Sequence, residues 1–288
     1  MNPWIFLADQ PLFFLAMAAL LGLLVGSFLN VLAYRLPIML ERQWQCEAQE
    51  ALGLSTTTHE RFDLCLPASR CPHCGHRIRA WENIPVLSYL LLRGRCAACK
   101  VGIGVRYPLV ELSCAALTLV VAWHQGPSLT ALALMALTWG LLALSLIDAE
   151  HQLLPDVLVL PLIWLGLIVN TFGLFASLHD AIWGAVIGYM SLWCVFWMFK
   201  LITGKDGIGY GDFKLLAMLG AWGGWQVLPL TLLLSSVVGA LIGLCLLRLR
   251  SASIGTAMPF GPYLATAGWI AMLWGDEMYT SYLQLIGY

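Results

Sequence analysis

Residues 129–147 read LTALALMALTWGLLALSLI, a run of 19 residues without a charge, and Asp148 follows the run directly. A helix that crosses the hydrocarbon core of a membrane needs about 20 mostly apolar residues. The run therefore predicts a membrane-spanning helix that ends on an acidic residue.

The whole chain has the composition of a membrane protein. Of its 288 residues, 60% are hydrophobic and only 11% are charged, and the mean hydropathy is +0.81. A soluble domain carries about 25% charged residues. The composition excludes an ordinary cytosolic enzyme, a disordered protein and a nucleic-acid binder. Membrane lipid is the expected surrounding, and no nucleic acid is expected as a partner.

Apolar runs between charges and turn residues predict about eight transmembrane helices, and hence an all-α polytopic membrane protein. The runs are Leu12–Tyr34, Pro108–His124, Leu129–Ile147, Val157–Leu178, Ala181–Phe199, Phe213–Gln226, Val227–Leu247 and Met258–Trp274. The sixth run is short and rich in glycine, so the division between the sixth and seventh spans is the least defined.

The basic residues predict the orientation of the chain. Ten of the 15 Lys and Arg residues lie from Arg35 to Arg106, and the other five lie beside spans five to seven. If eight spans alternate, every basic residue falls on one side, which the positive-inside rule identifies as the cytoplasm. Both termini are then expected on the opposite side.

One stretch, residues 35–106, is far more polar than the rest, because it holds 16 of the 31 charged residues. It predicts a small cytoplasmic insert. The remaining chain divides into a first transmembrane helix, residues 1–34, and a transmembrane core, residues 107–288.

The insert carries two Cys-x-x-Cys pairs with a metal-ligand spacing. The pairs are Cys71 with Cys74 and Cys96 with Cys99. Four thiolates in such pairs are typical of a closed, structural zinc site. Gly75 and Lys100 follow the pairs in a knuckle-like arrangement. The alternatives are a redox dithiol or incidental cysteines, but disulfides are rare in the reducing cytoplasm. His73 and His76 are near enough to be ligands, although four cysteines make them unnecessary.

Two acidic clusters lie at predicted span ends. Asp148 opens the sequence DAEHQLLPD, residues 148–156, and Asp212 lies in GYGDFK, residues 209–214. Ionisable residues at such positions indicate function, and the predicted orientation places both at the cytoplasmic interface. Two carboxylates at one depth can form the dyad of an aspartic protease, in which they share one proton.

Several other residues near these clusters and the insert have predicted roles, some of them with alternatives. Gly209 and Gly211 are expected to adopt positive φ and to admit a substrate strand. Asp156 precedes an apolar run and is expected to cap the fourth span. Four polar residues near the ends of the insert are candidates for binding a cofactor or a substrate amine, with interfacial anchoring as an equal alternative. They are Asn30, Arg35, Glu82 and Arg106.

The motifs resemble those of the type IV prepilin peptidases, a family of Gly-x-Gly-Asp membrane aspartic proteases. The similarity extends over nearly the whole chain. Besides the two aspartate clusters, it includes residues 26–31, 35–37, 82–89, 93–96 and 106–111.

The resemblance implies a bifunctional enzyme of the bacterial inner membrane, and the orientation predicted from the basic residues then places both termini in the periplasm. Asp148 and Asp212 match the catalytic pair that removes a short basic leader, after a glycine, from type IV prepilins and pseudopilins. The resemblance also implies that the enzyme methylates the new amino terminus, usually phenylalanine, with S-adenosylmethionine. The tetracysteine insert matches the methylating form of the family. Pilus assembly and type II secretion are the two processes this family serves.

Three other classes share part of this pattern. A presenilin-like intramembrane protease has the Gly-x-Gly-Asp motif but gives no account of the insert. An ion-coupled transporter usually shows internal repeats and broken helices, which the sequence lacks. A heavy-metal sensor or redox carrier would leave the aspartates without a role.

Overall fold

The computed structural model describes residues 3–54, 61–205, 207, 209–250 and 259–285. The chain divides into two compact units, Met1–Ala131 and Leu132–Tyr288. Within the described residues, secondary structure consists of helices and two isolated β-bridges. The predicted all-α class is confirmed.

The α-helices of the described residues are numbered in chain order. They are α1 (Pro3–Asp9), α2 (Pro11–Ala51), α3 (Leu87–Leu91), α4 (Arg106–Gln125), α5 (Leu129–His151), α6 (Asp156–Thr171), α7 (Leu178–Thr203), α8 (Tyr210–Gly223), α9 (Val227–Arg250) and α10 (Gly261–Leu285). Each of the eight predicted spans lies wholly or largely in one of these helices. Five of them, namely α2, α4, α5, α7 and α9, are long and apolar enough to cross a membrane. The number eight therefore stays a prediction.

The first span continues well beyond its apolar part. α2 runs 41 residues to Ala51, with Pro37 inside it, whereas the apolar run ends at Tyr34. A charged residue marks where a helix leaves an apolar environment, and it does not by itself end the helix. The beginning of the insert is therefore a helical extension of α2.

The predicted end of the fourth span, Leu178, is wrong. α6 ends at Thr171, and the chain turns at Gly173, whose φ is +66°. The buried Asn170 side chain holds this turn. Its Oδ1 accepts the backbone N–H groups of Phe175 and Ala176, each at 3.1 Å. The apolar run continued across the turn, so hydropathy alone could not locate it.

In the first unit, α2 and α4 approach closely along a stripe of small residues. A Cβ built on Gly22 would lie 2.7 Å from the Ala115 Cα, and one built on Gly26 would lie 2.7 Å from the Glu111 Cα. Glycines four residues apart let two helix backbones come together in this way. The Asn30 side chain strengthens the pairing by donating to the Tyr107 carbonyl at 3.1 Å.

Arg35 attaches the insert to α2. Its guanidinium donates to the Asp63 carbonyl at 2.8 Å and to the Pro67 carbonyl at 2.7 Å. The Asp63 carboxylate in turn accepts the backbone N–H groups of Leu66 and Cys65, which together with Arg61 lower its pKa below the ordinary value. A buried arginine at the end of the apolar run thus orders the first loop of the insert.

In the second unit, α8 is the central helix. It packs against α6, α7, α9 and α10, and ten of its 14 residues are buried. A helix of this length spans about 21 Å, which is shorter than the hydrocarbon core of about 30 Å. Gly184 and Gly220 bring α7 and α8 into backbone contact. Burial on all sides explains why the sixth run is apolar although it is short.

α7 extends past the start of α8. The Phe196 ring packs on the rings of Tyr210 and Phe213, with centroids 5.2 and 5.7 Å away. These contacts place the first turn of α8 level with Phe196, and α7 continues from there to Thr203. Along its own direction, α7 therefore extends beyond the level of the first turn of α8.

Candidate functional site

The second unit brings the two sequence-predicted aspartates to one end. Asp148 lies in the last turn of α5 and is 5% exposed, and Asp212 is the third residue of α8 and is 8% exposed. Their carboxyl groups are close enough to interact electrostatically. The Asp148 Oδ2 accepts the backbone N–H of Gly261 at 3.0 Å. Two buried carboxyl groups from different helices thus share a polar site at the ends of α5, α8 and α10.

The two glycines of the GYGD motif do not have the positive φ that the sequence predicts, so that prediction is wrong. Gly209 is the N-cap of α8 in an extended conformation, with φ −76° and ψ 144°. Gly211 lies within the helix, and a Cβ built on it would lie 2.9 Å from the Leu154 Cβ. Gly211 therefore makes space for the segment that precedes α6, and it does not form a turn.

Aromatic side chains fix the first turn of α8. Phe213, next to Asp212, is fully buried and packs edge-on against Tyr189 at 5.9 Å and against Phe196 at 5.7 Å. Because Tyr189 and Phe196 belong to α7, these contacts hold the first turn of α8, which carries Asp212, against α7.

A salt bridge joins the N-terminal parts of α6 and α8. The Lys214 Nζ lies 2.7 and 2.8 Å from the two Asp156 carboxylate oxygens. Asp156 does not cap α6 as predicted, because Pro155 occupies the N-cap position. Its side chain is 53% exposed. Asp156 is thus outside the buried pair, although it belongs to the same sequence cluster as Asp148.

The four cysteines of the insert form one cluster. The Sγ atoms of Cys71, Cys74, Cys96 and Cys99 all lie within 4.8 Å of one another. Cys71 is 3.8 Å from Cys99, and Cys74 is 4.0 Å from Cys96. Four sulfurs at about 2.3 Å from a tetrahedral zinc ion would be about 3.8 Å apart. The donor set and its spacing therefore fit zinc.

The two Cys-x-x-Cys pairs adopt the same backbone turn. The Cys71 N–H donates to the His76 carbonyl at 2.9 Å, and the Cys96 N–H donates to the Val101 carbonyl at 2.8 Å. Gly75 and Lys100 take equivalent places at φ +70° and +60°. The backbone N–H groups of Cys74 and His73 lower the pKa of Cys71 from 9.0 to about 7. The first turn thus favours a thiolate at Cys71, which is the form that binds metal, whereas burial and the neighbouring cysteine side chains raise the pKa of Cys99 to about 11.

His76 is occupied by a carboxylate beside the cluster. Its Nε2 lies 3.1 Å from the Glu82 Oε2, and the backbone N–H of Arg79 also donates to that oxygen at 3.1 Å. Arg79 and His76 hold the pKa of Glu82 below its ordinary value. This arrangement explains why His76 is not among the clustered ligands.

The polar residues near the ends of the insert are bonded within the protein. Asn30, Arg35 and Glu82 each bond to protein groups, and both alternatives for them, ligand binding and interfacial anchoring, stay predictions. Arg106 is the first residue of α4. Two residues of these sites received no role of their own from the sequence, although Glu111 lies in the motif of residues 106–111. Glu111, buried in α4, accepts the Val86 N–H at 2.8 Å, and Gly261 contacts Asp148.

Comparison with known proteins gives one consistent result. Residues 20–125 match the bacterial peptidase A24 N-terminal domain, and residues 135–244 match the type IV leader peptidase family. The prepilin leader peptidase/N-methyltransferase of Pseudomonas putida is 71% identical over 288 residues, all of both chains. Its namesakes from Stutzerimonas stutzeri and Pseudomonas aeruginosa are each 66% identical, over 99% and 98% of both chains. No solved structure matches. The chain therefore belongs to the type IV leader peptidase family.

Proposed function

We propose that this protein is a bifunctional membrane enzyme that cleaves the leader from type IV prepilins and pseudopilins and then N-methylates the new terminus. Asp148 and Asp212 are the proposed catalytic pair of the peptidase. The observation that carries this assignment is the burial of both carboxyl groups at one end of the second unit, in a chain of this family.

The dyad chemistry follows from two neighbouring carboxyl groups. Because they repel each other as anions, they share one proton and titrate as a unit. The ionised member removes a proton from water, and the water oxygen bonds to the carbonyl carbon of the scissile peptide. The protonated member donates a hydrogen bond to the carbonyl oxygen. The tetrahedral intermediate then breaks its C–N bond, and the departing amine takes up the proton.

The proposed methyl donor is S-adenosylmethionine, on the strength of the name N-methyltransferase that the relatives carry and of their identity to this chain. The described residues of the first unit form helices and isolated bridges, without the strand–turn–helix cradle that commonly holds such nucleosides. We assign no residue of this chain to the binding of S-adenosylmethionine, which would itself supply the methyl group.

We assign a structural zinc ion to Cys71, Cys74, Cys96 and Cys99. Four protein thiolates close the coordination shell and leave no position for a reacting water. The insert of residues 35–106 has a small hydrophobic core, and domains of that kind depend on a metal or disulfides for stability. We associate this insert with methylation and residues 107–288 with proteolysis.

We propose that the insert and the aspartate pair face the cytoplasm, with both termini in the periplasm. The support is the distribution of Lys and Arg over the predicted spans. Lys200 and Lys214 lie at the same end of the second unit as the aspartates. A prepilin with its apolar helix in the bilayer would present its leader junction at this face.

The test of both activities is an assay with purified enzyme, a full-length prepilin and labelled S-adenosylmethionine. Mass spectrometry should show loss of the leader first and the gain of one methyl group afterwards. Without the donor, cleavage should proceed and yield an unmethylated product. Release of the leader without any methyl transfer would reduce the enzyme to a peptidase.

Asp156→Asn should leave leader cleavage within about tenfold of the wild-type rate, because Asp156 is exposed and bonded to Lys214. An exposed ion pair contributes only about 0–1 kcal/mol to stability. The rate and the melting temperature are measured together with those of a charge-swapped variant, Asp156→Lys with Lys214→Asp, which should restore the pair. A loss as large as that of Asp148→Asn would place Asp156 in the dyad.

A further inference from the structure

The residues that begin α10 are joined to the proposed dyad. They read Pro259-Phe260-Gly261-Pro262, and Gly261 is the first residue of the helix. The first N–H groups of a helix have no partner within it. The Gly261 N–H instead donates to the buried Asp148 Oδ2 at 3.0 Å. Pro262 has no N–H, so the bond depends on the preceding residue.

A side chain at position 261 does not fit beside this carboxylate. A Cβ built on Gly261 would lie 2.6 Å from the Asp148 Oδ2 and 3.1 Å from its Cγ. Real Cβ atoms essentially never approach other heavy atoms within 3.0 Å. Gly261 is not among the glycines with positive φ, so the requirement is for space and not for backbone conformation. Any larger residue must displace either the carboxylate or the start of α10.

We propose that Gly261 is a positioning residue for the catalytic pair, whose N–H orients the Asp148 carboxylate and whose missing side chain allows α10 to reach it. This inference rests on the proposed function. The two carboxylate oxygens share one carbon, so a bond that fixes Oδ2 also fixes the direction in which Oδ1 accepts a proton. The N-terminal end of a helix also favours a neighbouring negative charge.

A purely structural role for Gly261 predicts different kinetics from a positioning role. A positioning residue acts on the chemical step, because a displacement of about 1 Å at a reacting group costs about 100-fold in rate. A change at a positioning residue should therefore lower kcat and leave the binding of the substrate unchanged. A residue that only supports the fold would lower the amount of active enzyme and damage the two activities together.

The test compares Gly261→Ala with Gly275→Ala, the same change in the same helix. At Gly275 the nearest atom to a built Cβ is the Leu230 Cδ2 at 3.9 Å, an ordinary contact. Gly261→Ala should lower kcat for leader cleavage about 100-fold. KM for the prepilin, the melting temperature and methyl transfer to a pre-cleaved pilin should stay at wild-type values. Gly275→Ala should match the wild type in every measurement.

A second variant separates the hydrogen bond from the bulk of the side chain. Cell-free incorporation of glycolic acid at position 261 replaces the N–H by an oxygen and adds no Cβ. If the bond orients Asp148, kcat should fall at least about tenfold, since a hydrogen bond to a charged group contributes about 1.5–3 kcal/mol.

Two results would overturn the inference. One is cleavage by Gly261→Ala within about twofold of the wild-type rate, because a twofold change in rate corresponds to only a small change in activation free energy. The other is an equal loss of cleavage and methyl transfer, which would indicate damage to the fold. If Asp148→Asn is inactive while Gly261→Ala is active, only the positioning role fails. If Asp148→Asn is also active, the proposed dyad itself is wrong.

Discussion

Asp148→Asn and Asp212→Asn should each reduce leader cleavage by about 10⁴–10⁶-fold, since catalytic groups that act as a unit show losses of this order. Asparagine has the shape of aspartate but can neither accept a proton from water nor share one. In Asp148→Asn the new amide oxygen can still accept the Gly261 N–H, so this variant should fold normally. The rate of leader release and the melting temperature give the answer.

The double variant provides an internal check on this prediction. Because the two carboxyl groups work as one unit, Asp148→Asn with Asp212→Asn should be no slower than either single variant. Asp156→Asn is the matched control, as a carboxylate of the same cluster outside the buried pair. All variants should methylate a pre-cleaved pilin at the wild-type rate. Wild-type cleavage by either single variant excludes that residue from the dyad.

Cys96→Ser should remove zinc from the protein and abolish methyl transfer. Cys96 is the buried member of the four-sulfur cluster, and serine is a poor ligand in a site of soft donors. In zinc-finger peptides the metal contributes about 10–16 kcal/mol to folding, so a large share of the insert's stability should be lost. Metal content by atomic emission and limited proteolysis of the insert measure the two effects.

Cys65→Ser is the matched control for the metal site, because Cys65 is an exposed cysteine of the same insert outside the cluster. It should keep both its zinc and its methyl transfer. A chelator should reproduce the Cys96→Ser phenotype in the wild-type protein. Full zinc occupancy in Cys96→Ser would remove Cys96 from the ligand set.

The sequence predicts the features that are local in the chain. Within each Cys-x-x-Cys pair the two cysteines are close because a few neighbouring residues encode the turn between them. A residue with positive φ follows each pair, namely Gly75 and Lys100. Asp148 is identified by the uncharged run that it directly follows, and Asp212 by its place in the Gly-Tyr-Gly-Asp sequence at the start of the sixth predicted span. The positions of Lys and Arg alone predict that both aspartates lie at the same face of the membrane. In the structure, both lie at one end of the second unit.

The contacts between distant segments were not predictable in the same way. Nothing in the Pro-Phe-Gly-Pro sequence indicates that Gly261 reaches Asp148, because that depends on which helix ends meet. The Asp156–Lys214 salt bridge likewise joins residues 58 positions apart. Hydropathy also failed at Thr171, where an apolar run turns a corner at Gly173. Helix packing decides these features, and it has no short sequence signature.

The length by which α7 extends past the start of α8 sets a steric condition for a substrate that approaches along the direction of α7. From the level of Phe196, α7 rises to Thr203, seven residues further on, or about 10 Å. On that route, a peptide bond passes the end of α7 by the same distance before it meets Asp212, the proposed catalytic residue in the first turn of α8. Extended chain covers about 3.3 Å per residue, so about three unstructured residues are required between any folded domain and the bond to be cut. The enzyme would then select its substrates by the flexibility of the cleavage junction as well as by its side chains.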